Sequence, residues 1–470
     1  MNHRAVGPRT RAKVQHDLMM QIEIGPDMLV NIFLSEPFGT YKSVIPLWRN
    51  WQGNRTHLPS SRIRTTIIYP ASVKKYAAGR MFVYRPHHQF SQCARLTTTI
   101  PAASTYHTKV SSLDNRRRCK LNMKTVGILV DAQVFRTIGS KKSSPEKLSI
   151  YNRAAAKHGL RPFYMCLEKT FPASGQAMGY RYANGKYRYV KLPIPKVIHN
   201  RSMPKGEKMR KRMRELAKKS HLFNERTRYS KYVIHQLLRG PFTAHLPATA
   251  RYSSARLNRE LEASPSFYVK PQSSSVGKGI IKITRIRNGK IKLQLPHRTT
   301  IADKRTAVKT INRVVRKQKY MIQQTIPLAK YKGRPYDIRV TVQRGARGQW
   351  QVTGMYGKVA RKGSHVTNVA RGGTAKACGS LFRHSFAHPS LVEQSTRQFS
   401  LQVARYLGNR LKRLADVGLD IGISPEGNPY FIEMNGRDMR YGFKKANMHK
   451  TFRRTYEAPI QYAKYLLKKR

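Results

Sequence analysis

Acidic residues are scarce in this sequence. Twenty-two Asp and Glu stand against 92 Lys and Arg over 470 residues, a formal charge of +70 at pH 7. A surface of that sign attracts polyanions and steers acidic ligands toward itself. The excess is not a tail: residues 1–122 hold 19 basic and 5 acidic side chains, and the remainder still carries +56. Spread along a patterned chain with 25 Tyr and 16 Phe, it points away from disorder by charge. Cysteine is also sparse. Cys93, Cys119, Cys166 and Cys378 lie far apart without CxxC or Cys/His spacing, and read most simply as free thiols in a reducing compartment, not as a disulfide frame or zinc site. No run approaches the roughly 18 apolar residues of a membrane helix. The opening MNHRAVGPRT lacks the apolar core of a signal peptide. The expectation is a soluble, cytoplasmic protein without a membrane span. Zinc-finger, RRM and KH signatures are missing, so nucleic acid is a partner on charge grounds alone. A general preference of the source for Arg and Lys accounts for the charge equally well.

What is present sorts into three regions. Residues 1–122 form a basic extension of uncertain structure, with no acid from Pro37 to Leu113 and short alternations at Met20–Ile24 and Met81–Tyr84 that read as strands. The pair His87-His88 has no Cys or carboxylate nearby and reads as surface or packing. Met123 stands immediately before a domain opening and is an alternative start. Residues 123–228 alternate strands (Thr125–Val130, Pro162–Leu167, Lys196–His199) with a helix closed at Gly159, the pattern of a parallel α/β layer. Asn184-Gly185 marks a hairpin, and Lys208–Lys219 is a basic helix. No GxGxxG follows the first strand, which excludes a dinucleotide fingerprint. Residues 229–470 carry the chemistry.

There, Gly418–Ile423 and Pro429–Asn435 read as two strands joined by a turn. Antiparallel pairing brings Asp420 near Glu433, and Glu433 and Asn435, two apart, share a face. Two carboxylates and an amide oxygen suit Mg²⁺; pairing with the abundant arginines is the alternative. Phe267–Pro271 is a strand carrying Lys270, followed by Gln272-Ser273-Ser274-Ser275-Val276-Gly277-Lys278-Gly279. Backbone N–H groups and hydroxyls of such a stretch can wrap a phosphate. It is a glycine flap and no Walker A loop, because Gly279 stands where Ser or Thr is required and a strand comes next. Tyr320–Ile326 is an apolar strand whose Gln323 and Gln324 could present an edge to adenine. In Tyr336–Val342, alternation puts Asp337, Arg339 and Thr341 on one face. Arg339, and Arg371 in the turn Asn368–Gly373, are candidate clamps for an anionic group.

Lysine strand, glycine flap, Gln-Gln hinge, Asp-Ile-Arg strand, Asn-x-x-x-Gly-Gly turn and Asp-x12-Glu-x-Asn follow one another in the order of the ATP-grasp superfamily. The wording YDIRVTVQ, WQVTGMYGKVARKGSHVTNVARGG and GLDIGISPEGNPYFIEMNGR resembles the YheC/YheD endospore coat-associated family, over roughly residues 124–470. The resemblance implies an ATP-grasp fold: two α+β subdomains sandwiching ATP, preceded by a Rossmann-like pre-ATP-grasp α/β domain. It implies ATP and Mg²⁺ as ligands. Lys270, with Lys231 as the weaker second lysine, would contact phosphates under the Ser273–Gly279 flap. Gln323 and Gln324 would lie at adenine, Asp420, Glu433 and Asn435 would hold magnesium, and Arg339 and Arg371 would face the reacting phosphoryl group. The implied activity is a carboxylate–amine or carboxylate–thiol ligase working through an acyl phosphate, with spore-coat association. Its acceptor would be an acidic peptide or small carboxylate. The other readings are a non-catalytic nucleotide-binding coat component and a nucleic-acid binder. The sequence departs from ligase relatives at Gly436-Arg437-Asp438, where a Ser-Ser-Pro-Gly-like turn is common, and at Gln324, where an acid is common.

Overall fold

The computed structural model describes residues 20–24, 30–36 and 39–44 as strands, and residues 123–469 apart from 141–143, 145, 275, 276, 297, 317 and 365. Met81–Tyr84, His87, His88, Cys93, Cys119 and Ser275 lie outside the described residues. The chain divides into a unit of residues 1–103 and a unit of residues 104–470. In the first, β1 (Met20–Ile24), β2 (Val30–Glu36) and β3 (Gly39–Val44) form an antiparallel sheet in that order.

Among the described residues, the second unit holds three six-stranded sheets. The first comprises β4 (Lys124–Leu129), β5 (Leu160–Phe171), β6 (Gln176–Ala183), β7 (Lys186–Pro193), β8 (Val197–Asn200) and β9 (His221–Phe223), in the order β7-β6-β5-β4-β8-β9. β5, β4, β8 and β9 are parallel, and β5 to β7 run antiparallel through the Asn184-Gly185 turn. Both turn residues have φ above zero (48° and 78°), as a two-residue hairpin matched to strand twist requires. The sheet is therefore mixed: a parallel core with an antiparallel hairpin at one side.

The next sheet comprises β10 (Thr249–Arg251), β11 (Ser266–Pro271), β12 (Ile281–Arg285), β13 (Ile291–Gln294), β14 (Thr299–Ala302) and β15 (Tyr320–Gln324), all antiparallel, in the order β10-β15-β11-β12-β13-β14. Alternation along β11 buries Phe267 and Val269 against Leu257, Leu261, Ala307 and Ile311 of two amphipathic helices, Ser254–Ala263 and Lys304–Val315. Tyr268 and Lys270 thereby face the other way.

The last sheet contains β16 (Lys330–Tyr331), β17 (Arg334–Arg344), β18 (Trp350–Val359), β19 (Thr374–Lys376), β20 (Asp416–Ile423) and β21 (Pro429–Asn435), with the path β19-β18-β17-β20-β21 and β16 on β17. Ile338, Val340 and Val342 pack with Leu419 and Ile421 against Phe399, Val403 and Leu407 of the helix Pro389–Arg410. Each such buried side chain contributes about 1.5–3 kcal/mol. The period of two then turns Asp337, Arg339 and Thr341 to the opposite face.

The first and last sheets are locked together by polar groups. Asn224, at the end of β9, is buried with φ 55°. Its Oδ1 accepts from the N–H groups of Ala415 (2.8 Å) and Asp416 (2.9 Å), and its Nδ2 donates to the carbonyls of Asp416 and Gly436 (2.8 Å to the latter). Beside it, Asp416 accepts from Arg440, from His199 (3.1 Å) and from Gln343 (2.9 Å), while Arg201 is paired with Glu146 at 2.8 Å. Burial drives the His199 imidazole down to about 4 against the opposing pull of Asp416, so it is neutral at pH 7. Asn224→Ala leaves buried backbone groups at the start of β20 and just after β21 unpartnered and puts a Cβ-bearing residue without a side-chain amide in the left-handed region. We expect a loss of about 3 kcal/mol in urea unfolding; a change below about 0.5 kcal/mol would remove Asn224 from this role.

Candidate functional site

The floor of the cleft between the two larger antiparallel sheets is a ladder of charges. Register sets Arg339 opposite Asp420 and Asp420 opposite Glu433; one step along, Thr341 faces Gly418 and Gly418 faces Asn435. On the other side, Asp337 lies opposite Lys358 and Gly422. Gly418 is needed for space: a Cβ there would lie 2.5 Å from Asp438 Oδ1.

Every carboxylate on this floor is met by a cation. Arg339 donates from Nε to Asp420 Oδ1 (2.6 Å), from Nη2 to Asp420 Oδ2 (3.1 Å) and from Nη1 to Asp438 Oδ1 (2.9 Å). Lys358 Nζ bridges Asp420 Oδ1 and Asp337 Oδ1, 3.0 Å from each. Thr367 donates to Asp337 at 2.7 Å. Lys231 Nζ lies 2.9 Å from Glu433 Oε2 and donates to the Ser274 carbonyl at 2.9 Å, tying the base of the flap to the floor. The Asn435 amide is satisfied with its nitrogen donating to Glu433 Oε1 (3.1 Å) and its oxygen accepting from Arg339 Nη2 (3.2 Å). Burial raises the Asp420 carboxyl, but the charges of Arg339 and Lys358 outweigh it and hold the group well below the usual range. For Asp337, burial wins over Lys358 and the value rises.

The roof comes from β11, β15 and the flap. Lys270 Nζ donates to Gln323 Oε1 at 2.7 Å and sits 4.6 Å from the centre of the Tyr268 ring. Desolvation lowers its amine to about 8; Glu433 opposes the shift and Lys231 reinforces it. Gln323 is buried and donates on to Thr249 at 2.9 Å. Gly279 (φ 75°) closes against Pro271, where a Cβ would approach to 2.9 Å. Gly277 (φ 64°) reaches across toward Val366 and the Arg371 guanidinium, 3.6 and 3.9 Å from where its Cβ would be. Asn368 caps the short turn that carries Arg371 by accepting from the Ala370 N–H. Tyr268, Ile280, Ile326, Leu328 and Ile432 supply apolar walls to a cleft of about 130 Å³. That is below the roughly 300 Å³ of ordinary ligand sites.

Of the residues singled out from sequence, Lys270, Gly277, Gln323, Gln324, Asp420 and Glu433 line this cleft together. Lys231, Arg339 and Asn435 stand directly behind the lining as partners of those groups. Ser273 opens instead onto a neighbouring groove, and Ser274 spends its hydroxyl on the Lys278 carbonyl (3.0 Å). Arg339 meets Asp420 and Asp438. One expectation changes. β15 is internal, flanked by β10 and β11, so its backbone through Gln324 pairs with neighbours and offers no edge. Sequence reasoning missed Lys358 and gave no role to Asp438; one lysine among so many basic residues carries no signal.

Strand-borne lysine under a glycine flap, facing a carboxylate pair on a second α+β layer, is the arrangement of an ATP-grasp protein. The model of the YheC/D-like ATP-grasp family matches residues 219–466, and the chain belongs to that family. It is 26% identical over 314 residues to the endospore coat-associated protein YheD of Bacillus subtilis (strain 168), covering 63% of this chain and 68% of YheD. YheC of the same strain is 21% identical over 230 residues, covering 47% of this chain and 62% of YheC. Among solved structures, the D-cycloserine synthetase DcsG superposes with a TM-score of 0.47 at 10% identity, covering 72% of this chain and 99% of that one.

Lys358→Met takes the shared cation from two buried carboxylates. We expect a loss of about 3 kcal/mol at pH 7 in urea unfolding. A carboxyl whose folded value lies above its unfolded value costs stability at higher pH, and the cost fades on acidification. The deficit should therefore shrink at pH 5; an equal deficit at both pH values would count against the ion-pair account.

Proposed function

We propose that the cleft binds Mg-ATP and that the chain is an ADP-forming ligase joining a carboxylate to an amine or thiol. The supporting observation is the convergence of Lys270 and Lys358 with Asp420 and Glu433 in one cleft, with Lys231 behind Glu433, under a flap whose glycines permit close approach. Oxygen donors alone make up the Asp420–Glu433–Asn435 set, which fits Mg²⁺ by chemistry. Those three residues would hold the ion, and when bound it would supply charge neutralisation at the phosphates. Lys270 and Lys231 would bind phosphate oxygens, Arg339 and Lys358 would orient Asp420, and Tyr268, Ile326, Leu328 and Ile432 would enclose the base beside Gln323 and Gln324. Arg371, beside the flap, would neutralise charge at the transferring group.

In this reading, a substrate carboxylate oxygen attacks the γ-phosphorus of ATP, the bond to the β-phosphate oxygen breaks and ADP leaves. The amine or thiol then attacks the acyl carbon, the carbon–oxygen bond breaks, phosphate leaves and the nucleophile's proton passes to solvent. No side-chain nucleophile is needed; the protein positions and neutralises. The relatives' name supports association with the spore coat. ATP binding without ADP release would favour a non-catalytic nucleotide-binding coat component.

The paired charges make a specific demand. Glu433 is free for metal only if Lys231 leaves it, and Lys231 leaves most readily for a phosphate. ATP and Mg²⁺ should therefore bind cooperatively, with ATP affinity by calorimetry rising about tenfold or more when Mg²⁺ is added. Asp420→Ala/Glu433→Ala should erase that gain, and Lys270→Ala should weaken ATP about tenfold, roughly 1.4 kcal/mol. Equal affinity with and without Mg²⁺ in the wild type would sink the exchange.

A proton should follow the nucleotide. Phosphate beside Lys270 raises its value above about 8, so binding near pH 8.5 takes up a proton. Calorimetry in buffers of different ionisation enthalpy should show that uptake, and Lys270→Met should abolish it.

A further inference from the structure

A second cavity, of about 400 Å³, opens beside the flap. It lies between the loop and basic helix that follow β8 and the segment that leads from β9 toward Lys231. Lys205, Arg210, Arg214, Arg226 and Arg228 line it, with Glu225 as the acid among its lining residues. That carboxylate is already 3.8 Å from Arg413, which lies outside the groove. Arg210 and Arg214 share a single carboxylate, Glu207, at 3.1 and 2.7 Å. The groove thus carries a clear positive excess. Its lining also includes the exposed Met203, the buried Met213, Ser230 and Ser273. Those two serines precede, in sequence, Lys231 and Ser274, and Lys231 Nζ contacts both the Ser274 carbonyl and Glu433.

We propose that this groove binds an acidic peptide segment, with carboxylates on the basic rim and aliphatic stems on the methionines. Glutamate side chains match both surfaces at once, through charge-assisted pairs at the rim and methylene burial at the floor. A nucleic acid fits less well. Single strands are held by successive aromatic platforms, and this groove offers Tyr229 as its aromatic ring. The assignment deepens the ligase reading by naming the class of its acceptor, and it rests on that reading for its functional meaning.

The test uses the full chain and a fluorescent hexaglutamate peptide, with a single-stranded oligonucleotide of equal charge as comparator. Arg226→Glu/Arg228→Glu should weaken the peptide about tenfold or more in anisotropy titrations, because both charges reverse. Mg-ATP affinity and the melting curve should stay unchanged. Lys208→Glu/Lys211→Glu, the same charge change on the exposed side of the helix away from the groove, should leave peptide affinity nearly intact. Equal losses in the two variants, or an oligonucleotide that binds more tightly and displaces the peptide, would overturn the groove assignment. Peptide binding that obeys these rules without any peptide-dependent ADP release would uphold the groove and reject the ligase reading alone. Mg-ATP turnover with a small carboxylate but no groove-dependent peptide binding would do the reverse.

Discussion

The site depends on Asp420 remaining charged inside the protein. An isolated carboxylate at that depth would take up a proton or destabilise the fold by several kcal/mol. Here Arg339 grips it through two nitrogens and Lys358 adds a third contact. Those cations must themselves be matched, and Asp438 and Asp337 do so. The result is a two-dimensional array of alternating charges on one face of a sheet. It exists because β17, β18, β20 and β21 are in a register that puts each charge opposite its counterpart. A slip of one residue would turn the array into the hydrophobic core.

The same demand extends beyond the sheet. Asp438 sits in the segment after β21, with no exposed surface, and its carbonyl accepts from Arg201 at 2.7 Å. Arg201 in turn pairs with Glu146 and lies near Asp416. A chain of paired groups thus runs from the first sheet to Arg339 and the cleft floor. Hydrophobic contact would hold the sheets together in many relative positions. A buried network has few arrangements that satisfy every member, so it selects one. The Gly436-Arg437-Asp438 segment, where the sequence departs from ligase relatives, is built into this network: Arg437 pairs with Asp131 at the exit of β4, and Asp438 with Arg339.

Local pattern made much of this legible. The alternation Tyr336–Val342, the turn between Ile423 and Pro429, and the Ser-Gly stretch after Lys270 each declare their element through period or turn chemistry. Asp420 and Glu433 could be paired from the length of their hairpin. What stayed hidden depends on contacts distant in sequence. β15 becomes internal because Thr249–Arg251, some 70 residues earlier, pairs along it. Arg339 pairs with Asp438 because residues beyond β21 fold back over it. Lys358 acquires a role only when β18 lies beside β17. In a chain with 92 basic residues the identity of a lysine says little, and its address in the sheet says nearly everything.

The overall charge and the cleft charge must therefore be argued separately. The chain carries +70, yet Lys231, Lys358 and Arg339 pair with four acids, Asp337, Asp420, Glu433 and Asp438, on the cleft walls and behind them. A long-range positive field brings anions to the surface. Inside the cleft, apart from Lys270, which hydrogen-bonds Gln323, an anion gains what it takes from existing pairs, and the acids released in that exchange favour a cation arriving with it. A purely basic cleft would hold any polyanion that reached it. A balanced one discriminates for a ligand that brings both signs, and the scarcity of acids elsewhere in the chain makes their concentration at this cleft the more informative fact.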